Sequence, residues 1–192
     1  MKTKMVKDLM VPLSEYATVP KGATLADTVV ALKKSQAEFD QTKYRHRAVL
    51  VYDKNNDIVG KVSMASLLKG LEPKYDDMLS NNRPMHLGFT RNFQKTMIDQ
   101  LRLWEAPLTH ICEKATQIKV DALMTPPDEG EYIEIDATLD EAIHQFILNR
   151  HHQSLLVTKD QKVVGTLRLT DVFEVVTDAV TDCVLTEQHG TT

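Results

Sequence analysis

The chain has 192 residues, 42% hydrophobic and 26% charged, a profile that excludes disorder and collagen-like repetition and is long enough to bury a full core. Its net charge of -4 argues against a general nucleic-acid binder, whose footprint is a basic excess. No apolar run approaches the roughly 20 residues of a membrane helix. Two cysteines, Cys112 and Cys183, cannot build a disulfide framework or a four-thiolate zinc site, and with no signal peptide the expectation is a reducing cytoplasm.

In chain order, Val6-Lys7-Asp8-Leu9-Met10-Val11-Pro12 comes first. It returns 114 residues later as Val120-Asp121-Ala122-Leu123-Met124-Thr125-Pro126, just as Ala23-Thr24-Leu25 returns as Ala137-Thr138-Leu139. At an offset of 106, His46 lies over His152 and Leu50-Val51 over Leu156-Val157; at 105, Val59-Gly60 lies over Val164-Gly165. Such self-similarity marks two copies of one structural unit.

Each copy predicts the same elements. A short extended stretch (Tyr16 to Val19; Tyr132 to Ile135) precedes a helix capped by threonine, and Thr138-Leu139-Asp140-Glu141 has capping-box spacing, with Thr24-Leu25-Ala26-Asp27 a weaker relative. Leu25, Val29 and Leu32 share one face of the first helix, as Leu139, Ile143 and Phe146 do in the second. Two apolar runs follow, joined by a polar turn: Ala48 to Tyr52 with Ile58 to Val62, and Ser154 to Thr158 with Val163 to Leu167, a hairpin signal. A last helix covers about Met64 to Lys69, and about Thr170 to Asp178 in the second copy. The unit is therefore β-α-β-β-α, too small to cover both sides of its sheet alone, so the two copies must pack together.

Between the copies, Phe89, Phe93, Met97, Leu101 and Trp104 recur at helical spacing between Pro84 and Pro107, and a second short helix holds Leu108, Ile111, Cys112 and Ala115. These helices either cover the module's own core or, with Phe93 and Trp104 as anchors, offer a contact surface. The expected layout is a first repeat over 1–70, a helical insertion over 71–119, a second repeat over 120–181 and a polar tail over 182–192. Charge divides along the chain as well. Residues 1–119 carry 19 basic and 13 acidic side chains, residues 120–192 only 4 basic and 14 acidic.

The paired Leu-Met-x-Pro entries, the Ala-Thr-Leu before each helix, the histidine before an apolar strand and the Val-Gly before strand and helix resemble a tandem pair of CBS domains, the Bateman module. The resemblance covers 6–69 and 120–180. It implies an α/β (α+β) fold of two repeats packed as a pseudo-two-fold pair, non-catalytic, binding AMP, ADP, ATP or S-adenosylmethionine between the repeats. It also implies a homodimer, an effector that is a separate protein, and no required cofactor, nucleic acid or membrane.

The family's nucleotide motif places a hydroxyl residue three positions before an acid that holds the ribose hydroxyls. Here the second copy, Gly165-Thr166-Leu167-Arg168-Leu169-Thr170-Asp171, keeps the acid but has Arg168 for the hydroxyl; the first, Gly60-Lys61-Val62-Ser63-Met64-Ala65-Ser66, keeps the hydroxyl but has Ser66 for the acid. A charged acceptor outweighs a neutral one, so the resemblance favours the Asp171 cleft. Asp171 read without it is an acid favourably placed in a helix's first turn. His46 and Ser63 are the candidates to meet the phosphate, among Lys33, Lys34, Lys43, Arg45 and Arg47. His152, Tyr132 and Ile133 complete the candidate set by position in the second copy. A metal cluster of Asp140, His144, His151 and His152 lacks a fixed ligand pattern, Gly60-Lys61-Val62-Ser63 fails as a phosphate loop, and no catalytic triad can be picked out. The alternative reading is a ligand-free dimerisation module.

Overall fold

The structure is a computed structural model that describes residues 4–39, 44–72, 74–75, 90–105, 108–149 and 152–189. In chain order its regular elements are β1 (Val11–Pro12), β2 (Thr18–Pro20), α1 (Leu25–Glu38), β3 (Ala48–Tyr52), β4 (Ile58–Ser63), α2 (Met64–Leu71), α3 (Arg91–Leu101), α4 (Leu108–Gln117), β5 (Tyr132–Glu134), α5 (Leu139–Leu148), β6 (Ser154–Lys159), β7 (Lys162–Arg168) and α6 (Leu169–His189). No described helix is long and apolar enough to cross a membrane.

Local chemistry accounts for the helix starts and the hairpins. Both capping boxes close: Asp27 Oδ2 accepts from the Thr24 amide at 2.9 Å while Thr24 Oγ1 accepts from the Asp27 amide at 3.1 Å, and Glu141 Oε2 accepts from the Thr138 amide at 2.7 Å. The first box is therefore as complete as the second. Each hairpin turns through left-handed residues, Asn56 in one and Asp160-Gln161 in the other, and Asn and Asp tolerate this region better than most. Leu25, Leu32, Leu139 and Phe146 bury the predicted helix faces.

Two sheets result, ordered β2-β3-β4 and β1-β7-β6-β5. In each, a parallel pair (β2/β3, β5/β6) is followed by an antiparallel hairpin with a register shift at the matching position, Val51/Tyr52 and Val157/Thr158. Alternation along β3 sends Val49 and Val51 to the core under α1 and Leu50 to the opposite face; β6 does the same with Leu155, Val157 and Leu156. Leu50 and Leu156 meet, with Val11, Tyr16 and Phe39, in a third apolar cluster that joins the copies. The run of buried aliphatics in each strand thus reflects burial on both faces.

The entry segments are exchanged between the copies. Val6, fully buried, packs into the core of the second copy, its amide donating to Ala137 O at 2.9 Å, while β1 adds to the edge of β7. Reciprocally, Val120 packs into the first copy with its amide on Ala23 O at 2.8 Å, and Thr125 bridges to Lys61 on β4. Two glycines permit this. A Cβ on Gly165 would lie 2.6 Å from Val11 O, and one on Gly60 2.5 Å from Met124 Sδ.

Several expectations need adjustment. Trp104 lies beyond α3, because Arg102 takes a left-handed conformation and stops that helix; Phe89 is outside the described residues. Within the insertion α4 packs on α1 and α2, with Ala115 and Ile118 joining the first core. The last helix runs to His189, well past Asp178, so residues 182–189, read as a polar tail, are helical. No Gly or Pro interrupts the chain between Asp178 and His189, so nothing stops the helix there.

Candidate functional site

A cleft of about 290 Å³ opens between the copies, lined from the first by Tyr16, Arg45, Arg47, Ala48, Lys61, Ser63, Met64 and Ala65 and from the second by Gln153, Ser154, Arg168 and Thr170. Its size is near the lower end of ligand pockets, roughly 300–1,000 Å³. Four cationic side chains and four hydroxyls line it, together with an apolar wall from Ala48, Met64 and Ala65, and the lining contains no carboxylate. The first turn of α2 and the second residue of α6 both border the cleft, and helix N-termini favour anions.

Arg45 and Arg47 reach this surface because exposure alternates through Arg45-His46-Arg47: both arginines are exposed and the histidine between them has no exposed surface. His46 packs between Tyr16 and Phe39 with the rings tilted by 50° and 54° and their centroids 4.5 and 4.3 Å away. Its Nε2 lies 3.0 Å from Glu15 O, which can only accept, so Nε2 carries the proton, and Nδ1 faces Arg168 Nη1 at 3.5 Å. Burial and then the Arg168 charge push its pKa down to about 4, so the ring is neutral at pH 7. The fully buried, neutral imidazole expected to meet phosphate does not line the cleft, whereas Arg45 and Arg47 on either side of it in sequence do. Burial likewise pushes the neighbouring Tyr16 phenol up to about 12.

Asp171 stands behind Arg168. The guanidinium donates from Nε to Asp171 Oδ2 at 2.6 Å and from Nη2 to Oδ1 at 2.7 Å, a bidentate pair across the start of α6. Nη1 donates to Tyr44 O, and the guanidinium carbon lies 5.1 Å from the centroid of the Phe39 ring. Arg168 is 5% exposed. Both oxygens expected to meet ribose accept from Arg168, in a pair whose side chains are only 6% and 12% exposed. At the matching place in the first copy, Ser63 Oγ accepts from the Ser66 amide at 3.0 Å and lies 2.9 Å from Ser66 Oγ.

The remaining candidates disperse. Ser63, Arg47 and Arg168 line the cleft, whereas Ser66 is turned to Ser63; Tyr132 is on exposed β5, its phenol pushed up by burial and by Glu131, and Ile133 is buried in the second core. Lys34 pairs with Glu38 at 3.9 Å and lines a separate groove; Lys33 is exposed on α1; Lys43 is outside the described residues. His152 lies 3.4 Å from Asp128 and 3.3 Å from Glu131, not with Asp140 and His144, which are exposed; His151 is outside the described residues. Asp128, Glu131 and His152 are close enough together for a metal, but the Lys61 ammonium already donates to Glu131 Oε1. The sequence reading missed Lys61, Ser154 and Thr170. Only the position of Lys61, one residue past the Val-Gly of β4, hinted at its place.

The CBS domain family model matches residues 6–73 and 120–178. No curated protein matches the sequence. Solved structures of similar fold include a CBS domain-containing protein of unknown function from Bacillus anthracis str. Ames Ancestor (17% identity, 92% of this chain and 95% of that one covered, TM-score 0.59). Another is CBSX2 in complex with AMP (20%, 91% and 97%, 0.56), and a third the CBS domain of a bacterial CNNM/CorC family Mg2+ transporter in complex with ATP (17%, 90% and 87%, 0.52). With both segments matched and the two exchanged copies in place, the chain belongs to the CBS domain family.

Proposed function

We propose that this chain is a non-catalytic regulatory module of the cytoplasm that binds an adenosine-containing nucleotide between its two copies and passes occupancy to a separate protein. The carrying observation is the cleft itself, which joins both copies, combines cations with an apolar wall and contains no carboxylate in its lining. Relatives of the same fold solved with AMP and ATP support the ligand class. In this reading Arg45, Arg47 and Lys61 meet phosphate, Ala48, Met64 and Ala65 cover apolar ligand surface, and binding draws the copies together because each supplies part of the wall. Titration calorimetry with AMP, ADP, ATP and S-adenosylmethionine tests it. Heat with at least one is expected, and none with any would overturn it.

A second reading, dimerisation through an apolar helix face, has its own observation. Met64 and Leu68 on α2 are 45% and 56% exposed, Phe173 at the position matching Leu68 is 63% exposed, and Val180 and Val184 continue along α6. Contiguous exposed apolar surface marks interaction sites. Sedimentation should give a dimer, and Leu68→Glu with Phe173→Glu should yield folded monomers; a wild-type monomer rules this reading out.

A further inference from the structure

The carboxylate at the motif's ribose position is engaged within the chain and does not line the cleft. Asp171 takes two hydrogen bonds from Arg168, whose guanidinium is fixed in turn by Tyr44 O and the Phe39 ring and is 5% exposed. In the first copy the same position is Ser66, already hydrogen-bonded to Ser63. Neither copy therefore presents an acid to ribose hydroxyls. The positive groups, by contrast, stand on the cleft wall: Arg45 and Arg47 on one side of the buried His46, and Lys61 beside Ser63. Charge-assisted bonds to phosphate oxygens are about twice as strong as neutral ones.

Resting on the nucleotide reading above, we propose that this cleft selects its ligand by phosphate charge and not through ribose: the ligand class is a polyphosphate-bearing anion held by Arg45, Arg47 and Lys61. Affinity then rises with the number of phosphates and is indifferent to the sugar hydroxyls. Lys61 also couples the cleft to the second copy, because it lines the cleft while its ammonium is bonded to Glu131.

The test is titration calorimetry on the full chain at one ionic strength, with ATP, AMP, 2′,3′-dideoxy-ATP, adenosine and inorganic tripolyphosphate. ATP should bind at least about tenfold tighter than AMP, dideoxy-ATP within about threefold of ATP, and tripolyphosphate should compete within about tenfold of ATP, with no heat from adenosine. Arg47→Glu, with an unchanged thermal melt, should weaken both ATP and tripolyphosphate by at least about tenfold. If dideoxy-ATP binds at least about tenfold weaker than ATP, if tripolyphosphate fails to compete, or if folded Arg47→Glu binds as wild type, the proposal is overturned while the nucleotide reading stands. Tripolyphosphate binding without any nucleotide supports the proposal and ends the nucleotide reading; silence from every ligand ends both.

Discussion

The two copies place different chemistry on the same scaffold position. At the end of β4, Ser63 caps α2 and shares a hydrogen bond with Ser66; at the end of β7, Arg168 and Asp171 span the start of α6 as a bidentate ion pair. In both, residues i and i+3 satisfy each other across a helix start. The first copy does so with neutral groups, and the second with a pair of opposite charges that neutralise each other. An acid retained in a motif need not be an acid offered to a ligand.

Removing one member of the second copy's pair should produce the largest effect. Arg168→Ala leaves the part-buried Asp171 without its counter-charge and should destabilise by about 3 kcal/mol in urea denaturation, the low end for a buried pair. The double substitution Arg168→Ser with Asp171→Ser, which remakes the first copy's arrangement, should recover most of that loss; if it does not, the two positions are not equivalent in kind. Next comes the exchange of entry segments. Gly165→Ala meets the Val11 carbonyl, a backbone atom that cannot yield, and should cost about 2–3 kcal/mol, against about 1 kcal/mol for Gly60→Ala, where the flexible Met124 side chain can move. Equal losses would mean that the two crossings are equally rigid.

Smaller effects separate the helix starts. Thr24→Ala and Thr138→Ala should each cost about 1 kcal/mol, since both capping boxes are closed. Their hydrogen bonds hold the Asp27 and Glu141 carboxyls below their usual values, so this support is fully present above about pH 4.5 and fades as pH falls through the lowered folded values. At neutral pH the smallest effect belongs to His46. Its depressed pKa means that the unfolded chain binds the extra proton between pH 6.5 and about 4; stability is complete above pH 6.5 and declines through that window. An NMR titration should place the His46 midpoint near 4, and a midpoint near 6.5 would show the ring to be solvated.

Much of this was legible in order along the chain. The repeat shows as self-similarity of the sequence, and the threonine caps and hairpin turns are short-range signals set by local backbone hydrogen bonding and side-chain period. Even the Arg168–Asp171 pair had a sequence signal, its i,i+3 spacing across a helix start, which the motif comparison treated as a missing hydroxyl. His46 was harder. Its polarity suggests exposure, and only the convergence of Tyr16, Phe39 and Arg168 from distant segments buries it.

By itself, then, the sequence determined two β-α-β-β-α copies and their internal elements, because those rest on local propensity and periodicity. Tertiary structure alone decided that Val6 and Val120 exchange cores, that Arg168 of the local Arg168–Asp171 pair is buried against Tyr44 and Phe39 of the first copy, and that Lys61 joins Arg45 and Arg47 around one cleft. Each of these depends on which side chains meet across the interface of the copies, where burial decides whether a charge is paired, neutral or left for a ligand.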